Sequence, residues 1–292
     1  MAATKLTAKP VADALTEKVI AKVGELKAKG TNPTLAILRV GERADDLSYE
    51  KGALKRAETC GVAIKQVILP EDVSKDALLD AVKQLNADKS VHGVLIFRPL
   101  PYEADVFATL APEKDIDGAT DASTAAMFNG YLGTVFGGGT GPQPETSAFA
   151  CTPAGMLAIL DYYGYGELKG KKVAFVGSGL RVGRPLGIIL LNRGATVTYC
   201  HEFTADTPAI CREADILVTA VGKANLIGEK HMKPGQVIID AGLSVGPDGK
   251  MVGDTDPDAA EAVGVSYTPS VGAMTTAILM AHVVNAAENA SK

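Results

Sequence analysis

Residues 171–202 read KKVAFVGSGLRVGRPLGIILLNRGATVTYCHE, and this stretch decides the fold class of the chain. A short apolar run leads into a turn that holds three glycines, Gly177, Gly179 and Gly183. A helical pattern follows, and then a second apolar run at residues 195–200. This order predicts a β-α-β unit that binds a dinucleotide, because the glycines let the backbone approach a pyrophosphate closely. The helix directs its N-terminal N–H groups and the positive end of its dipole at that anion.

The glycine spacing, G-x-G-x-x-x-G, differs from the commoner G-x-G-x-x-G, and it also fits a glycine-rich turn in an ordinary α/β sheet. The surrounding sequence favours nucleotide binding. A strand pattern precedes the turn, a helix pattern follows it, and Glu202 lies just beyond the next strand. An acidic side chain at that place hydrogen-bonds the ribose of a dinucleotide.

The composition argues against several other classes of protein. The chain has 292 residues, 47% of them hydrophobic, and a formal net charge of −5. It has no basic groove or arm, so we expect no nucleic-acid partner. The four cysteines lack C-x-x-C spacing and the four histidines do not cluster, so we expect neither a metal site nor a disulfide framework. We also expect no membrane association and a cytoplasmic location, because no apolar run has the length of a membrane span and no signal peptide is recognisable.

Apolar runs alternate with helical periodicity along the rest of the chain. The runs predict strands at residues 34–40, 62–69, 91–97, 214–222 and 236–242. Helical spacing predicts helices at residues 11–28, 48–60, 74–86, 151–163 and 274–290. Strands that alternate with helices imply a mostly parallel sheet covered on both faces, so the fold class is α/β.

Residues 130–147 are rich in Gly, Pro and Thr, and this composition predicts a loop near a domain boundary. We therefore predict an N-terminal α/β domain over residues 1–147 and a Rossmann-type nucleotide-binding domain over residues 148–273. The segment 274–292 contains a final helix that is too apolar to stand free, so we expect it to pack back on the first domain.

Several segments, taken together and in order, resemble the methylenetetrahydrofolate dehydrogenase/cyclohydrolase family. They are VGERADDLSYEKGALKRAETCGV, GVLIFRPLP, PEKDIDG, ACTPAG, the glycine turn with ATVTYCH, AVGKANLI, KPGQVIIDAG, VGDTD and VGAMT. The resemblance implies a catalytic first domain that binds tetrahydrofolate, an active site in the cleft between two domains, and a homodimer. It also implies hydride transfer from 5,10-methylenetetrahydrofolate to a nicotinamide cofactor, which gives 5,10-methenyltetrahydrofolate.

Two residues match positions that bind the pterin in this family. Tyr49 stands where the family has an active-site tyrosine, although it also fits a half-buried tyrosine packed on the core. Asp117, within KDIDG, matches a substrate-binding aspartate, although Asp-Gly is also a common turn. A carboxylate there accepts hydrogen bonds from the amino group and ring N–H of a pterin.

The chain departs from the family at two positions that are associated with hydrolysis of the methenyl product. Bifunctional members have a lysine four residues after the tyrosine, and this chain has Ala53. Lys51 and Lys55 lie on the wrong side of the helix to replace it. The family's nearby glutamine is here Phe97. We therefore predict a dehydrogenase with weak or absent cyclohydrolase activity; the alternative is a bifunctional enzyme.

The nicotinamide cofactor is predicted to be NAD, with NADP as the alternative. NADP-dependent relatives carry Arg-Ser after the first glycine of the turn, whereas this chain has Ser178-Gly179. Relatives commonly have serine where Glu202 stands, and a carboxylate repels a 2′-phosphate. Arg181 and Arg184 argue for NADP, because either could reach a phosphate. The predicted cofactor-binding residues are Gly177, Ser178, Gly179, Arg181, Gly183, Glu202, Val221, Gly222 and Leu243.

Two rival interpretations stay open at this point. One is a dehydrogenase of similar two-domain plan that acts on another substrate, such as a shikimate- or amino-acid-type enzyme. The other is a non-catalytic folate or nucleotide sensor, which the lost polar groups would permit.

Overall fold

A computed structural model describes residues 4–130, 149–246 and 249–292 of the chain. Its contacts form two compact units. The three-stranded unit comprises Ala12–Cys151 and Thr276–Lys292, and the five-stranded unit comprises Met1–Val11 and Thr152–Thr275. The predicted boundary between residues 147 and 148 lies outside the described residues, as does the predicted loop at residues 130–147 apart from its first residue.

Helices and strands alternate through much of the described part of the chain, as the sequence predicts. The helices are α1 (Ala8–Ala28), α2 (Ala44–Cys60), α3 (Lys75–Ala87), α4 (Glu103–Thr109), α5 (Asp121–Phe128), α6 (Cys151–Tyr162), α7 (Gly183–Asn192), α8 (Thr207–Glu213), α9 (Pro257–Val263) and α10 (Gly272–Ala290). The strands are β1 (Thr34–Val40), β2 (Ala63–Leu69), β3 (Gly93–Ile96), β4 (Lys172–Val176), β5 (Thr196–Cys200), β6 (Ile216–Thr219), β7 (Val237–Asp240), β8 (Ser244–Val245), β9 (Met251–Val252) and β10 (Ser266–Tyr267). Among these residues no helix is long and apolar enough to cross a membrane.

The three-stranded unit contains a parallel sheet in the order β2-β1-β3. Its centre is β1, whose side chains from Leu35 to Leu38 are fully buried. Helix α2 begins at Ala44, four residues before the predicted start. Asp45 and Asp46 lie in its first turn, where carboxylates are favourable near the positive end of the helix dipole.

The final helix returns to the three-stranded unit, as predicted. Residues from Ala281 to Val284 are 6% exposed or less, so the helix is buried on all sides along this stretch. Lys22 of α1 pairs with Glu288 of α10 at 2.7 Å, and His282 Nδ1 lies 2.9 Å from the carbonyl oxygen of Ile116. These contacts join α10 to the start and the middle of the same unit.

The five-stranded unit is a parallel sheet in the order β10-β7-β6-β4-β5, with a short β8-β9 hairpin beside it. The strands β4 and β6 lie side by side, while the chain runs from β4 to β5 on one side and then to β6 on the other. The strand order therefore reverses at β4, and ligands bind at the carboxyl ends of strands at such a reversal.

The N-terminal segment belongs to the five-stranded unit, whereas the sequence analysis assigned it to the first domain. The backbone N–H of Leu6 donates to the carbonyl of Tyr267 at 2.8 Å, and the N–H of Tyr267 donates to the carbonyl of Thr4 at 3.0 Å. Leu6 is fully buried. The segment thus pairs with the edge strand β10, a long-range contact with no signal in the local sequence.

Candidate active site

The three-stranded sheet reverses its strand order at β1, so its carboxyl edge is the first candidate site. Tyr49, on the helix that follows β1, is half-buried and packs edge-on against Phe97, with ring centroids 5.8 Å apart. Phe97 and Arg98 follow directly after β3. The aromatic ring of Phe97 thus lies against the ring of Tyr49.

Asp117 lies close to the same edge, within a loop that other side chains hold. One carboxylate oxygen accepts a hydrogen bond from the backbone N–H of Cys151 at 3.1 Å, and the other lies 3.4 Å from a guanidinium nitrogen of Arg98. The buried Asp115 fixes the following turn by accepting from the N–H and hydroxyl of Thr120, each at 2.8 Å, and from the Ser123 hydroxyl at 2.7 Å. The carboxylate of Asp117 is therefore positioned but only half-buried.

Cys151 and His282 are buried and contact the backbone of this loop at Ile116. His282 donates from Nδ1 to the carbonyl of Ile116, and the Cys151 sulfur lies 3.9 Å from the same nitrogen. Burial lowers the pKa of His282 and raises the pKa of Cys151 well above its usual range. A neutral imidazole and a protonated thiol suit a structural role better than acid–base or nucleophilic chemistry.

Helix α2 is anchored by a buried ion pair next to Tyr49. Glu50 accepts from Arg39 Nε of β1 at 2.9 Å and from Gln66 of β2 at 2.6 Å. These bonds fix the rotation of α2, and with it the side from which Tyr49 projects. Ala53, one turn further on, is fully buried, whereas Lys51 and Lys55 are exposed. Neither lysine therefore takes the place of an ammonium at position 53.

A flat heterocycle with several N–H donors suits this edge chemically. A carboxylate has about four acceptor positions, and the two neighbours of Asp117 use only part of that capacity. The Tyr49 phenol adds a group that both donates and accepts. In the described residues no group of three His, Cys, Asp or Glu side chains could hold a metal ion.

The second candidate site is the glycine turn after β4, at the reversal point of the five-stranded sheet. Gly177 has φ +105°, and a Cβ there would lie 2.8 Å from the carbonyl oxygen of Ala220. A Cβ at Gly183, the first residue of α7, would overlap the carbonyl oxygen of Gly177. Both glycines are therefore required by the close packing of strand, turn and helix. Gly179 is different, because no described atom lies within 4 Å of a Cβ built there.

The start of α7 fits an anion. In the described part of the chain no side chain caps this helix at Val182, although the N–H of Arg184 donates to the Gly179 carbonyl at 3.1 Å, so the first turn offers an anion mainly the positive end of the helix dipole. The Arg184 Nε donates to the Ser178 carbonyl at 2.9 Å, which ties this guanidinium back to the turn. Arg181 is exposed. Tyr199 supports the helix from β5, since its hydroxyl donates toward the Gly183 and Arg184 carbonyls at 3.3 and 3.2 Å.

The loops after β6 and β7 complete this site, and a buried aspartate holds the first of them. Asp254 is fully buried and accepts from the N–H groups of Val221, Gly222 and Lys223 at 2.7 to 2.9 Å. It also accepts from the Thr219 hydroxyl at 2.7 Å. The backbone of the loop is therefore fixed, while the Val221 side chain stays 47% exposed.

Asp240, at the end of β7, plays the same role for the next loop. It accepts from the N–H of Gly242 at 2.8 Å and of Thr255 at 2.7 Å. Burial raises its pKa, and the nearby Asp254 carboxylate adds to that shift. The loop presents Leu243, which is 60% exposed and lies against the loop after β6, since its carbonyl oxygen is 3.4 Å from a Cβ built at Gly222.

The structure thus brings all the predicted cofactor-binding residues to one edge of the five-stranded sheet. They follow four neighbouring strands: Gly177, Ser178, Gly179, Arg181 and Gly183 after β4, Glu202 after β5, Val221 and Gly222 after β6, and Leu243 after β7. Tyr49 and Asp117 lie in the other unit. No role for Arg98, Asp240 or Asp254 was predicted from the sequence. A buried carboxylate that organises loops, such as Asp240 or Asp254, looks in sequence like any other loop aspartate.

Comparisons with known proteins identify the family to which both parts of the chain belong. A family model for the catalytic domain of tetrahydrofolate dehydrogenase/cyclohydrolase matches residues 6–117, and a model for its NAD(P)-binding domain matches residues 150–291. The bifunctional protein FolD of Carboxydothermus hydrogenoformans is 42% identical over 98% of each chain.

Two solved structures extend this similarity to the fold. The FolD methylenetetrahydrofolate dehydrogenase/cyclohydrolase of Campylobacter jejuni superposes with a TM-score of 0.90 at 31% identity, over 99% of each chain. The methylenetetrahydrofolate dehydrogenase-cyclohydrolase of Trypanosoma brucei, solved with NADP and an inhibitor, gives a TM-score of 0.89 at 26% identity, over 100% of this chain and 99% of that one. With both domains matched and relatives of this identity along nearly its whole length, the chain is an enzyme of the tetrahydrofolate dehydrogenase/cyclohydrolase family.

Proposed function

We propose that the enzyme oxidises 5,10-methylenetetrahydrofolate to 5,10-methenyltetrahydrofolate and passes the hydride to NAD. The observation that carries the proposal is the family match over both domains, in a chain that keeps Tyr49, Asp117 and the glycine turn. The sensor interpretation is disfavoured by the same match, since the relatives are enzymes by name.

In this proposal the site in the three-stranded unit binds the folate, and the site in the five-stranded unit binds the dinucleotide. Asp117 accepts hydrogen bonds from the pterin, and Tyr49 packs beside the ring with its hydroxyl directed to a polar edge. The turn from Gly177 to Gly183 receives the pyrophosphate. Glu202 holds the adenosine ribose, and the exposed Leu243 lines the nicotinamide side.

The dehydrogenase step needs no acid or base from the protein. A C–H bond of the substrate's methylene carbon breaks, and both electrons leave with the hydride. The lone pair of a neighbouring folate nitrogen then forms the C=N bond of the methenyl cation. Catalysis is therefore positioning, which accelerates a reaction strongly when the reacting carbons are held in contact.

For the hydrolytic step, the names of the relatives and the residues of this chain support different conclusions. Relatives named bifunctional support the alternative of a dehydrogenase that is also a cyclohydrolase. Ala53 and Phe97 supply no group that could assist attack by water. We propose that this chain carries out the hydrolysis weakly or not at all, because position 53 supplies no ammonium.

The preference for NAD over NADP is also a proposal. Glu202 repels a 2′-phosphate, and Ser178-Gly179 offers no guanidinium. Of the two arginines that argue for NADP, Arg184 is bonded to the carbonyl of Ser178. The relative from Trypanosoma brucei was solved with NADP, which keeps that cofactor as the alternative.

The proposed assembly follows from the resemblance alone. We propose a cytoplasmic homodimer, with a mass in solution of twice the 30.2 kDa of the chain. Light scattering on a sizing column measures that mass, and a monomer at micromolar concentration would contradict the assembly.

One assay tests the proposed reaction. The purified enzyme is mixed with methylenetetrahydrofolate and NAD or NADP, and the reduced nicotinamide is followed by absorbance. We expect turnover with both cofactors and a higher kcat/KM with NAD. The product is then separated into methenyl and formyl forms. Binding of folate and NAD without any turnover would overturn the proposal and favour the sensor.

The D117N variant tests the assigned pterin contact. Asn replaces one acceptor oxygen with a donor, so we expect kcat/KM for the folate to fall about 100-fold while the Kd for NAD is unchanged. Asp121→Asn, at the start of α5, is the matched control and should behave as the wild type.

A further inference from the structure

Phe203 is the most exposed large hydrophobic side chain in the described residues, at 84%. It stands three residues beyond Cys200, the last residue of β5 that pairs with β4, and next to Glu202. A large aromatic ring in full contact with water is unfavourable, because most of its apolar surface is left uncovered. Single exposed apolar side chains are common on protein surfaces, so what distinguishes this ring is its place on an ordered turn beside Glu202, at the carboxyl end of β5.

The turn that carries Phe203 is firmly built. The N–H of His201 donates to the Thr204 hydroxyl at 3.0 Å, and the N–H of Thr204 donates to the His201 carbonyl at 2.9 Å. The N–H of Phe203 donates to His201 Nδ1 at 3.1 Å. The two rings meet edge to face, with centroids 5.8 Å apart. One edge of Phe203 is thus braced by the imidazole while the rest of the ring faces solvent.

The position of Phe203 beside the glycine turn limits which molecule could cover its ring. The N–H of Gly177 donates to the Cys200 carbonyl at 3.1 Å. The glycine turn, which follows β4, therefore begins beside the turn at residues 201–204, which follows the neighbouring strand β5. A dinucleotide held at the glycines extends its adenosine across the end of the second strand, where Glu202 meets the ribose. The adenine base is attached to that ribose, and Phe203 directly follows Glu202 in the chain.

We propose that Phe203 is the stacking surface for the adenine ring of the dinucleotide, an assignment that rests on the proposed function. Adenine has a flat π face, and stacking on an aromatic side chain is favourable for any base. Glu202 and Phe203 then recognise the adenosine together, the carboxylate through the ribose hydroxyls and the ring through the base.

The chain contains no tryptophan, which gives a direct test. Phe203→Trp places a single tryptophan at the proposed contact, and adenine stacked on it quenches its fluorescence. We expect saturable quenching by ADP-ribose and none by nicotinamide mononucleotide, which lacks adenine. Phe128→Trp is the matched control, because Phe128 is 66% exposed and ends α5 in the three-stranded unit. Its emission should not respond to ADP-ribose.

Phe203→Ala measures the contribution of the ring. We expect its Kd for ADP-ribose, measured by calorimetry, to rise about tenfold, with the Kd for nicotinamide mononucleotide and the melting temperature unchanged. If the wild type turns over and binds ADP-ribose, but Phe203→Ala binds it equally well and Phe203→Trp is not quenched, the adenine assignment is overturned and the proposed function stands. If the wild type binds neither NAD nor ADP-ribose, both are overturned.

Discussion

Glu202 is a single exposed carboxylate on which the proposed cofactor preference depends. Replacing it with serine removes the repulsion of a 2′-phosphate and leaves a hydroxyl that can donate to it. We expect E202S to raise kcat/KM for NADP by about tenfold or more and to lower kcat/KM for NAD, as steady-state assays with both cofactors would measure. Glu213→Ser, an exposed acid at the end of α8, controls for the change in net charge. Equal effects of the two substitutions would show that Glu202 has no specific role.

Ala53 is the residue at which the hydrolytic step can be examined directly. Lysine there stands one helical turn from Tyr49 on the same face of α2. We expect A53K to raise the rate of conversion of methenyl- to formyltetrahydrofolate at least about tenfold, because an ammonium can assist attack by water. The rate is measured by the loss of methenyl absorbance, corrected for spontaneous hydrolysis.

Two controls keep that result interpretable, since Ala53 is fully buried and a longer side chain strains the core. Ala53→Met has similar length without the charge, so a gain with methionine would assign the effect to packing. Phe97→Gln places an amide at the half-buried position where the resemblance implies a glutamine. Combined with A53K, it measures whether the second polar group adds to the rate of hydrolysis. A folded A53K enzyme with intact dehydrogenase activity and no faster hydrolysis would contradict the assignment.

The glycine turn between β4 and α7 is the element where the sequence and the structure agree most fully. Gly183 meets the backbone of Gly177, whereas Gly179 faces open space. We expect G183A to lower the free energy of unfolding by about 1–3 kcal/mol, because the backbone must shift to admit a methyl group. We expect G179A to leave stability unchanged and to weaken NAD binding about tenfold, because its methyl group occupies the space of the pyrophosphate. Thermal melting with and without NAD separates the two; a stability loss in G179A equal to that in G183A would count against a ligand at the turn.

Elements that follow from local pattern were predictable, and those that depend on distant partners were not. The apolar run at residues 34–40 predicted β1 to the residue, and glycines after an apolar run predicted the turn after β4. The β8-β9 hairpin has two residues in each strand, which is too short for any periodicity. Asp254 acts through backbone N–H groups more than 30 residues away in sequence, so its local sequence, VGDTD, carries no sign of that role.

At the scale of the whole molecule, the chain begins in the five-stranded unit, builds the three-stranded unit, returns, and ends in the three-stranded unit again. The final segment in the three-stranded unit is most of α10, so this C-terminal helix forms part of the core of that unit. Ile278 is fully buried, whereas Ala290, at the end of the same helix, is exposed. We expect I278A to lower the free energy of unfolding by about 2–5 kcal/mol through lost burial and the cavity left behind, and Ala290→Ser to change it by less than about 0.5 kcal/mol. Urea denaturation followed by circular dichroism measures both, and equal midpoints would mean that the final helix contributes little to the stability of the fold.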